Sequence, residues 1–532
     1  MSDYFEHVVP ALKRAAENGQ LALLRRGIEK EGLRVDREGW ISQVPHQRAL
    51  GSKLTHPHIT TDYSESLLEY VTPVFCRPAD ALGFLADLHR FTYRHIGDEL
   101  VWPASMPARL DGNDSVPIAD FGSSNSGRMK HVYRRGLDIR YGRIMQAIAG
   151  IHYNVSFPSA LFTELAAIEG QGEVDFNRYR SEKYFRLIRN FKRHGWLLMY
   201  LFGASPAVDK SFLDRREVPG LDVIGHSSRG SRYASSLRMS DLGYQNKVQD
   251  QLKVRFDTLA DYVGTLRHAV STPWPDYQAQ GVERQGEWHQ LNDNILQIEN
   301  EYYSDIRPKR VVRHHQTPTQ ALEAEGVEYI EVRCLDINPL LPVGIDETET
   351  RFIDLFLLFC LLDDDAIIDD DEQQRITENR RRVVSQGRDP GLELDTVEGP
   401  RPLAEVGEAI FTGMRALAGI LDAMEEGTPH ADALDELAPR LKDPTLTPAG
   451  KIYRALSEGN QDFVEWTLAR ASEQAEWFKG SEGDQARLTC LADLVDTSWQ
   501  QQRDMEEHDS MSFAEYLERY FELAEEVAEP RS

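Results

Sequence analysis

The sequence predicts an α+β fold built on a largely antiparallel sheet. Strand-like alternation and helical periodicity are interleaved through the first 345 residues, without the regular βαβ spacing of a doubly wound sheet. From Asp346 onward the chain reads as almost wholly helical, and its end is strongly acidic. The expected organisation is therefore a chemistry-bearing core over 1–345 and a helical part over 346–532 packed against it.

In chain order, residues 4–24 carry a helical pattern ending near Gly27. RGIEKEGLRVD follows as a short strand. ESLLEYVTPVF is a second strand, closed by Pro73, which cannot donate to a ladder. Helices are expected over 79–96 and 128–148, and Gly150 then opens the strand IHYNVSF. A long amphipathic helix is expected over 177–202. Two loop-rich stretches, 208–245 and 270–315, hold many Arg, Tyr, Ser and Asn residues. EYIEVRCLD, over 328–336, is a clear strand. The run Leu355 to Leu362 is far shorter than the roughly 20 residues needed to cross a bilayer. Asp354 and Asp363 flank it and mark it as a buried helix.

Charge is the main departure from an average globular chain. Across 532 residues, 87 acidic against 60 basic side chains give a formal net charge of −27. Such a field repels phosphate backbones and anionic headgroups, so neither nucleic acid nor a membrane surface is an expected partner. Cys76, Cys334, Cys360 and Cys490 are scattered, with no CxxC pair. That spacing argues against a thiolate zinc site and suits a reducing compartment. The N-terminal segment lacks the basic and apolar stretches of a secretory signal, so a cytoplasmic protein is expected.

Phosphate loops of the GxxxxGK[ST] and GxGxxG kinds are absent from the sequence, as is HExxH. A bound nucleotide would have to be held through metal ions and cationic side chains. Residues two apart on a strand share a face. Glu29 then points with Glu31, Glu65 with Glu69, His152 with Asn154, and Glu331 with Tyr329 and Arg333. One such pair alone is most often a solvated strand face. Four strands presenting carboxylates and an imidazole can instead converge into an oxygen-rich site with one nitrogen ligand. That set suits Mg²⁺ or Mn²⁺ rather than zinc. Clustered carboxylates repel unless cations neutralise them, and polyphosphate on two or more Mg²⁺ ions is a common reason for such a cluster. IRPKR supplies Arg307, Lys309 and Arg310 nearby. Arg333 can grip a carboxylate or phosphoryl group bidentately.

Eight segments in order resemble the bacterial glutamate–cysteine ligase family: RGIEKEGLRV, ITTDYSESLLEYVTP, SNSGRMKHVYRRGL, GIHYNVSFP, YLFGASPA, SLRMSDLGYQNK, QIENEYYSDIRPKR and EYIEVRCLDINPL. The likeness runs from about residue 20 to about residue 400. It implies a glutamine synthetase-like fold, a curved antiparallel sheet forming a funnel. It also implies the first step of glutathione synthesis. ATP would phosphorylate the γ-carboxylate of L-glutamate, and the amine of L-cysteine would displace phosphate from the γ-glutamyl phosphate. Glu29, Glu31, Asp62, Glu69, His152 and Glu331 become the implied metal ligands, and Glu65 drops out. Glu29 and Arg333 are implied as catalytic, Arg333 stabilising charge on the phosphoryl group. Tyr133, Gln146, Arg238, Tyr244 and Tyr303 are implied for cysteine, and Asn300, Arg307, Lys309 and Arg310 are expected on the nucleotide side. A monomer is expected. No second nucleotide-binding module is seen, so a bifunctional enzyme is not expected. The rivals are a ligase of this fold using another amine, and a non-catalytic metal-binding protein.

Overall fold

The computed structural model describes residues 3–172, 174–214, 216–243, 248, 252–313 and 316–525. Its centre is a sheet of seven strands: β1 (Arg25–Val35), β2 (Ile59–Thr61), β3 (Leu67–Val71), β4 (Leu100–Val101), β5 (Ile151–Ser156), β6 (Ile306–Lys309) and β7 (Tyr329–Leu335). Their order is β6-β7-β5-β1-β3-β2, with β4 paired to the far end of β1. Every pairing is antiparallel, as the sequence predicts.

The sheet separates two chemistries. One face carries Ile28, Tyr70, Ile151, Tyr153, Ile330 and Val332, all buried. Helix α2 (Pro78–Tyr93) packs on that face against β1 and β3; α1 (Asp3–Glu17), α3 (Asn125–Tyr141), α4 (Phe176–His194), α5 (Glu347–Leu362), α6 (Asp370–Gln386), α7 (Leu403–Asp422), α8 (Gln485–His508) and α9 (Phe513–Glu525) complete the elements used below. Helix α5 is the expected buried helix, apolar on all sides. Its fully buried Asp354 accepts from Arg26 at 2.7 Å and from the Tyr153 hydroxyl at 3.0 Å, which fastens α5 to β1 and β5.

Several boundaries differ from the sequence pattern for local reasons. The first helix stops at Glu17, before the positive-φ Gly19. Helix α3 starts at Asn125 because the Ser124 hydroxyl caps it, and it stops at Gly142. The pattern over 177–202 is two helices, α4 and Trp196–Phe202, broken at Gly195. A hairpin of Glu393–Thr396 and Gly399–Pro402 interrupts the helical part. The acidic run before α6 is used locally: Asp369 caps the helix, and Asp370, Asp371 and Glu372 sit in its first turn, where the helix dipole favours negative charge. The main hydrophobic core is continuous from Phe5 to Leu491, so it spans residue 345.

Candidate active site

Strand register assembles the second face of the sheet. In antiparallel pairs, directly opposed residues share a face. Glu29 lies opposite His152, Glu31 opposite Glu69, and Glu69 opposite Thr60. Glu331 lies opposite Asn154 on one side and Arg307 on the other. Six strands thus offer polar side chains in one row. Glu29, Glu31, Glu69, His152, Arg307 and Glu331 of this row line a cavity of about 550 Å³.

Glu29, His152 and Glu331 bring ligand atoms within 4.8 Å of one another. His152 Nδ1 is 3.2 Å from Glu29 and 3.8 Å from Glu331, and its Nε2 is 3.9 Å from Glu31. Glu31 also accepts from the Gly150 amide at 2.6 Å. Arg333 reaches Glu331 at 3.2 Å, and Lys309 stands 3.7 Å from its other oxygen, which is buried without a hydrogen bond.

The electrostatics favour a cation. Burial raises Glu31 to about 8, with Asp62 adding to the effect. Burial, Asp62, Glu29 and Glu31 push Glu69 well above the carboxylate range. Burial works to raise Glu29, yet its hydrogen bond with His152 holds it below the ordinary value. Burial opposes ionisation of Glu331 as well, but Arg333 and Lys309 keep it low. Burial and Arg333 hold the His152 imidazole neutral, which is its metal-binding form. Oxygen ligands with one imidazole, two of them resisting ionisation because of burial and nearby carboxylates, fit hard divalent cations.

Facing the sheet is helix α3. Lys130, Tyr133, Arg134, Leu137 and Tyr141 lie on one helical face and all line the cavity. Lys130, Arg134 and Tyr63 were not among the sequence candidates; the three-residue spacing from Tyr133 was the signal for Lys130, and Arg134 lies one helical turn beyond Lys130. Arg134 donates to the Asp62 carbonyl at 2.6 Å, fixing α3 against the end of β2. Glu301 joins the same wall: Arg140 and the Tyr141 hydroxyl hold it at 3.1 Å and 2.6 Å.

Of the sequence candidates, Glu29, Glu31, Asp62, Glu69, His152, Glu331, Tyr133, Gln146, Arg238, Tyr303, Asn300, Arg307, Lys309 and Arg333 all line this cavity. Tyr244 lies outside the described residues. Arg310 is a correction. It follows β6 and turns away, donating to the Gly326 carbonyl and to Glu325 at 3.0 Å, where it closes a short helix end. Arg307 also has a structural engagement, donating to the Asn300 and Tyr302 carbonyls. Glu65 precedes β3 instead of sitting on it. It pairs with Lys53 and accepts from the His46 and Asp120 amides, so it is a loop anchor.

The glutamate–cysteine ligase family model matches residues 9–383. A glutamate–cysteine ligase from Pseudomonas putida is 50% identical over 453 residues, covering 85% of this chain and 86% of the relative.

The chain belongs to the glutamate–cysteine ligase family.

A relative of the same name from Hahella chejuensis is 47% identical, covering 94% of this chain and 96% of its own. The solved glutamate–cysteine ligase from Francisella tularensis, in complex with AMP, superposes with a TM-score of 0.88 at 36% identity, covering 94% of this chain and 98% of that one. A bifunctional glutathione synthetase from Pasteurella multocida shares the fold at a TM-score of 0.68 and 24% identity; the match takes 97% of this chain and 57% of that one. The fold is therefore the glutamine synthetase-like α+β type with its antiparallel sheet. The reaction of this glutamate–cysteine ligase family member is the ATP-dependent joining of L-glutamate, through its γ-carboxylate, to L-cysteine, the first step of glutathione synthesis.

Proposed function

We propose that the row of strand carboxylates is the metal wall of this reaction and that the α3 side holds the acceptor amino acid. The convergence of Glu29, His152 and Glu331 within 4.8 Å carries the reading. Glu29, Glu31, Asp62, Glu69, His152 and Glu331 would hold two or more Mg²⁺ (or Mn²⁺) ions. Bound there, the ions would neutralise the polyphosphate of ATP and orient its γ-phosphoryl group.

The remaining work falls to side chains of this chain. Arg333, fixed by Glu331, reaches the cavity with a charge that burial does not extinguish, since Glu331 holds its pKa above the usual arginine value. It stabilises charge on the phosphoryl group and on the γ-carboxylate as the acyl phosphate forms. Lys130, beside Glu69, is the cation suited to the α-carboxylate of glutamate. Tyr133, Gln146, Arg238 and Tyr303 surround the acceptor, with Tyr244 completing the set by likeness; Arg238 pairs with the cysteine carboxylate while the rings exclude water from the acyl phosphate. Asn300, Arg307 and Lys309 serve the nucleotide side. Residues 1–345 form the catalytic part and 346–532 its helical support. The enzyme works in the cytoplasm as a monomer.

ADP release decides between acceptors. With ATP and glutamate present, cysteine should raise release well above the rate with glutamate alone and above other small amines; equal rates with and without cysteine would refute the acceptor assignment. Arg333→Lys should lower kcat by roughly 10²–10³-fold while leaving KM for cysteine nearly unchanged.

A further inference from the structure

The last strand of the sheet carries one buried carboxylate that the reaction scheme leaves unused. Asp336 follows β7, and its side chain is fully buried. Register explains how it arrives there. Val332 is opposite Tyr153, but Leu335 is opposite Ile151, so β7 gains one residue over β5 between them. This bulge reverses the alternation. Leu335 takes the apolar face, and Asp336 comes to the side of Arg333.

Asp336 there receives a converging set of donors. Its Oδ2 accepts from the Ala204 amide at 2.8 Å, and its Oδ1 accepts from the Ser236 hydroxyl at 3.0 Å. Arg238 Nη1 lies 3.7 Å from the same Oδ1. The other arm of that guanidinium donates to the Arg333 carbonyl at 2.9 Å. Beneath it lies Gly150: a Cβ at that position would meet Arg238 Nη2 at 2.1 Å. Gly150 is also the residue whose amide holds Glu31.

We propose that Asp336 is a positioning residue for the acceptor amino acid: through its carboxylate it fixes Arg238 flat over Gly150, at the point where the acceptor pocket and the carboxylate wall share one stretch of backbone. Buried arginine is rotamer-rich and strongly charged, so its direction must be set by fixed acceptors. The Arg333 carbonyl accepts from one arm, and the other donates to the Met239 sulfur at 3.2 Å. Asp336 supplies a further restraint and the counter-charge. A carboxylate is required for this, because both oxygens face donors. An amide at 336 that keeps its oxygen on the Ala204 amide turns its NH₂ toward the Ser236–Arg238 pair; the Ser236 hydroxyl can turn to accept from it, but Arg238 then faces a donor and loses its counter-charge.

The inference rests on the assignment of Arg238 to cysteine, and the two are tested separately by initial rates with ATP, glutamate and cysteine each varied. In Arg238→Lys, a loss confined to KM for cysteine supports the assignment; a loss confined to glutamate overturns it whatever Asp336 does. Asp336→Asn should raise KM for cysteine by roughly tenfold, the scale of losing a close charge partner, with KM for glutamate and ATP changed by less than about twofold. Equal changes in all three constants, or a lowered melting temperature with kinetics unchanged, would overturn the proposal. Should Asp336→Asn fail to fold, Ser236→Ala removes one donor from the same carboxylate. It should then raise KM for cysteine alone by roughly two- to fivefold, and an unchanged constant would count against the role.

Discussion

Glu31 sits opposite Glu69, and its burial, with Asp62 adding to the effect, sets its titration. Its pKa in the folded, metal-free protein is about 8, above the ordinary carboxylate value of 4.5. Between those values the folded chain binds more protons than the unfolded one, so the contribution of Glu31 to stability is present at low pH and declines as pH rises toward 8. The metal-free protein should lose melting temperature between pH 6 and 8.5, and Glu31→Gln should lose less. Mg²⁺ must displace the same proton, so it should bind more tightly as pH rises, and should restore melting temperature most at high pH. Calorimetric melts with and without chelator check both. The legibility of these residues in the sequence followed their neighbours. Glu29, Glu31, His152 and Glu331 were readable because strand alternation needs no partner. Asp62 was not, since it lies one residue past β2 and shares the face only through the pairing of Thr60 with Glu69.

At the scale of elements, β1 shows why alternation alone misleads. Lys30 and Arg34 alternate with the carboxylates and look like a solvated face, yet both are buried. Lys30 meets His89 at 2.8 Å, and Arg34 pairs with Glu99 at 2.7 Å. Helix α2 and the β4 region supply those partners, which no local pattern reveals. Arg26 has the same dependence on α5. Removing Asp354 leaves a buried guanidinium without its charge partner, so Asp354→Ala should destabilise the fold by about 3–5 kcal/mol. Urea denaturation measures it, and a change below about 1 kcal/mol would show that the Arg26 charge is satisfied elsewhere. Helix α3 was legible as a helix, but its cavity-facing side was marked only by Tyr133. Arg310 was misread for a related reason: in IRPKR every basic residue looks alike, and only the end of β6 separates Lys309, inside the cavity, from Arg310, outside it.

Across the whole molecule, the helical part reaches back to the α3 wall of the cavity. Phe513 and Leu517 of α9 pack with Val132 of α3 and Leu291, and Tyr133 lies against this cluster. Helix α8 bonds to the opposite loop, through Ser498 and Gln502 to Ser52. Residue 513 lies beyond the 9–383 stretch matched by the family model. Phe513→Ala should cost about 2–4 kcal/mol, less than the deepest core positions because the cluster is small, and should weaken cysteine binding more than ATP binding. A net charge of −27 adds self-repulsion, so the thermal midpoint should rise as sodium chloride is raised from low to moderate concentration.

The metal wall is the claim on which the rest depends, and counting ions tests it directly. Titration with Mn²⁺, followed by the loss of its free paramagnetic signal in the presence of a non-hydrolysable ATP analogue, gives that count. The wild-type protein should bind two or more ions per chain, and Glu331→Gln, still folded by circular dichroism, should bind at least one fewer. No binding by the wild type, or the same count in both proteins, would contradict the assignment of these strands to the metal.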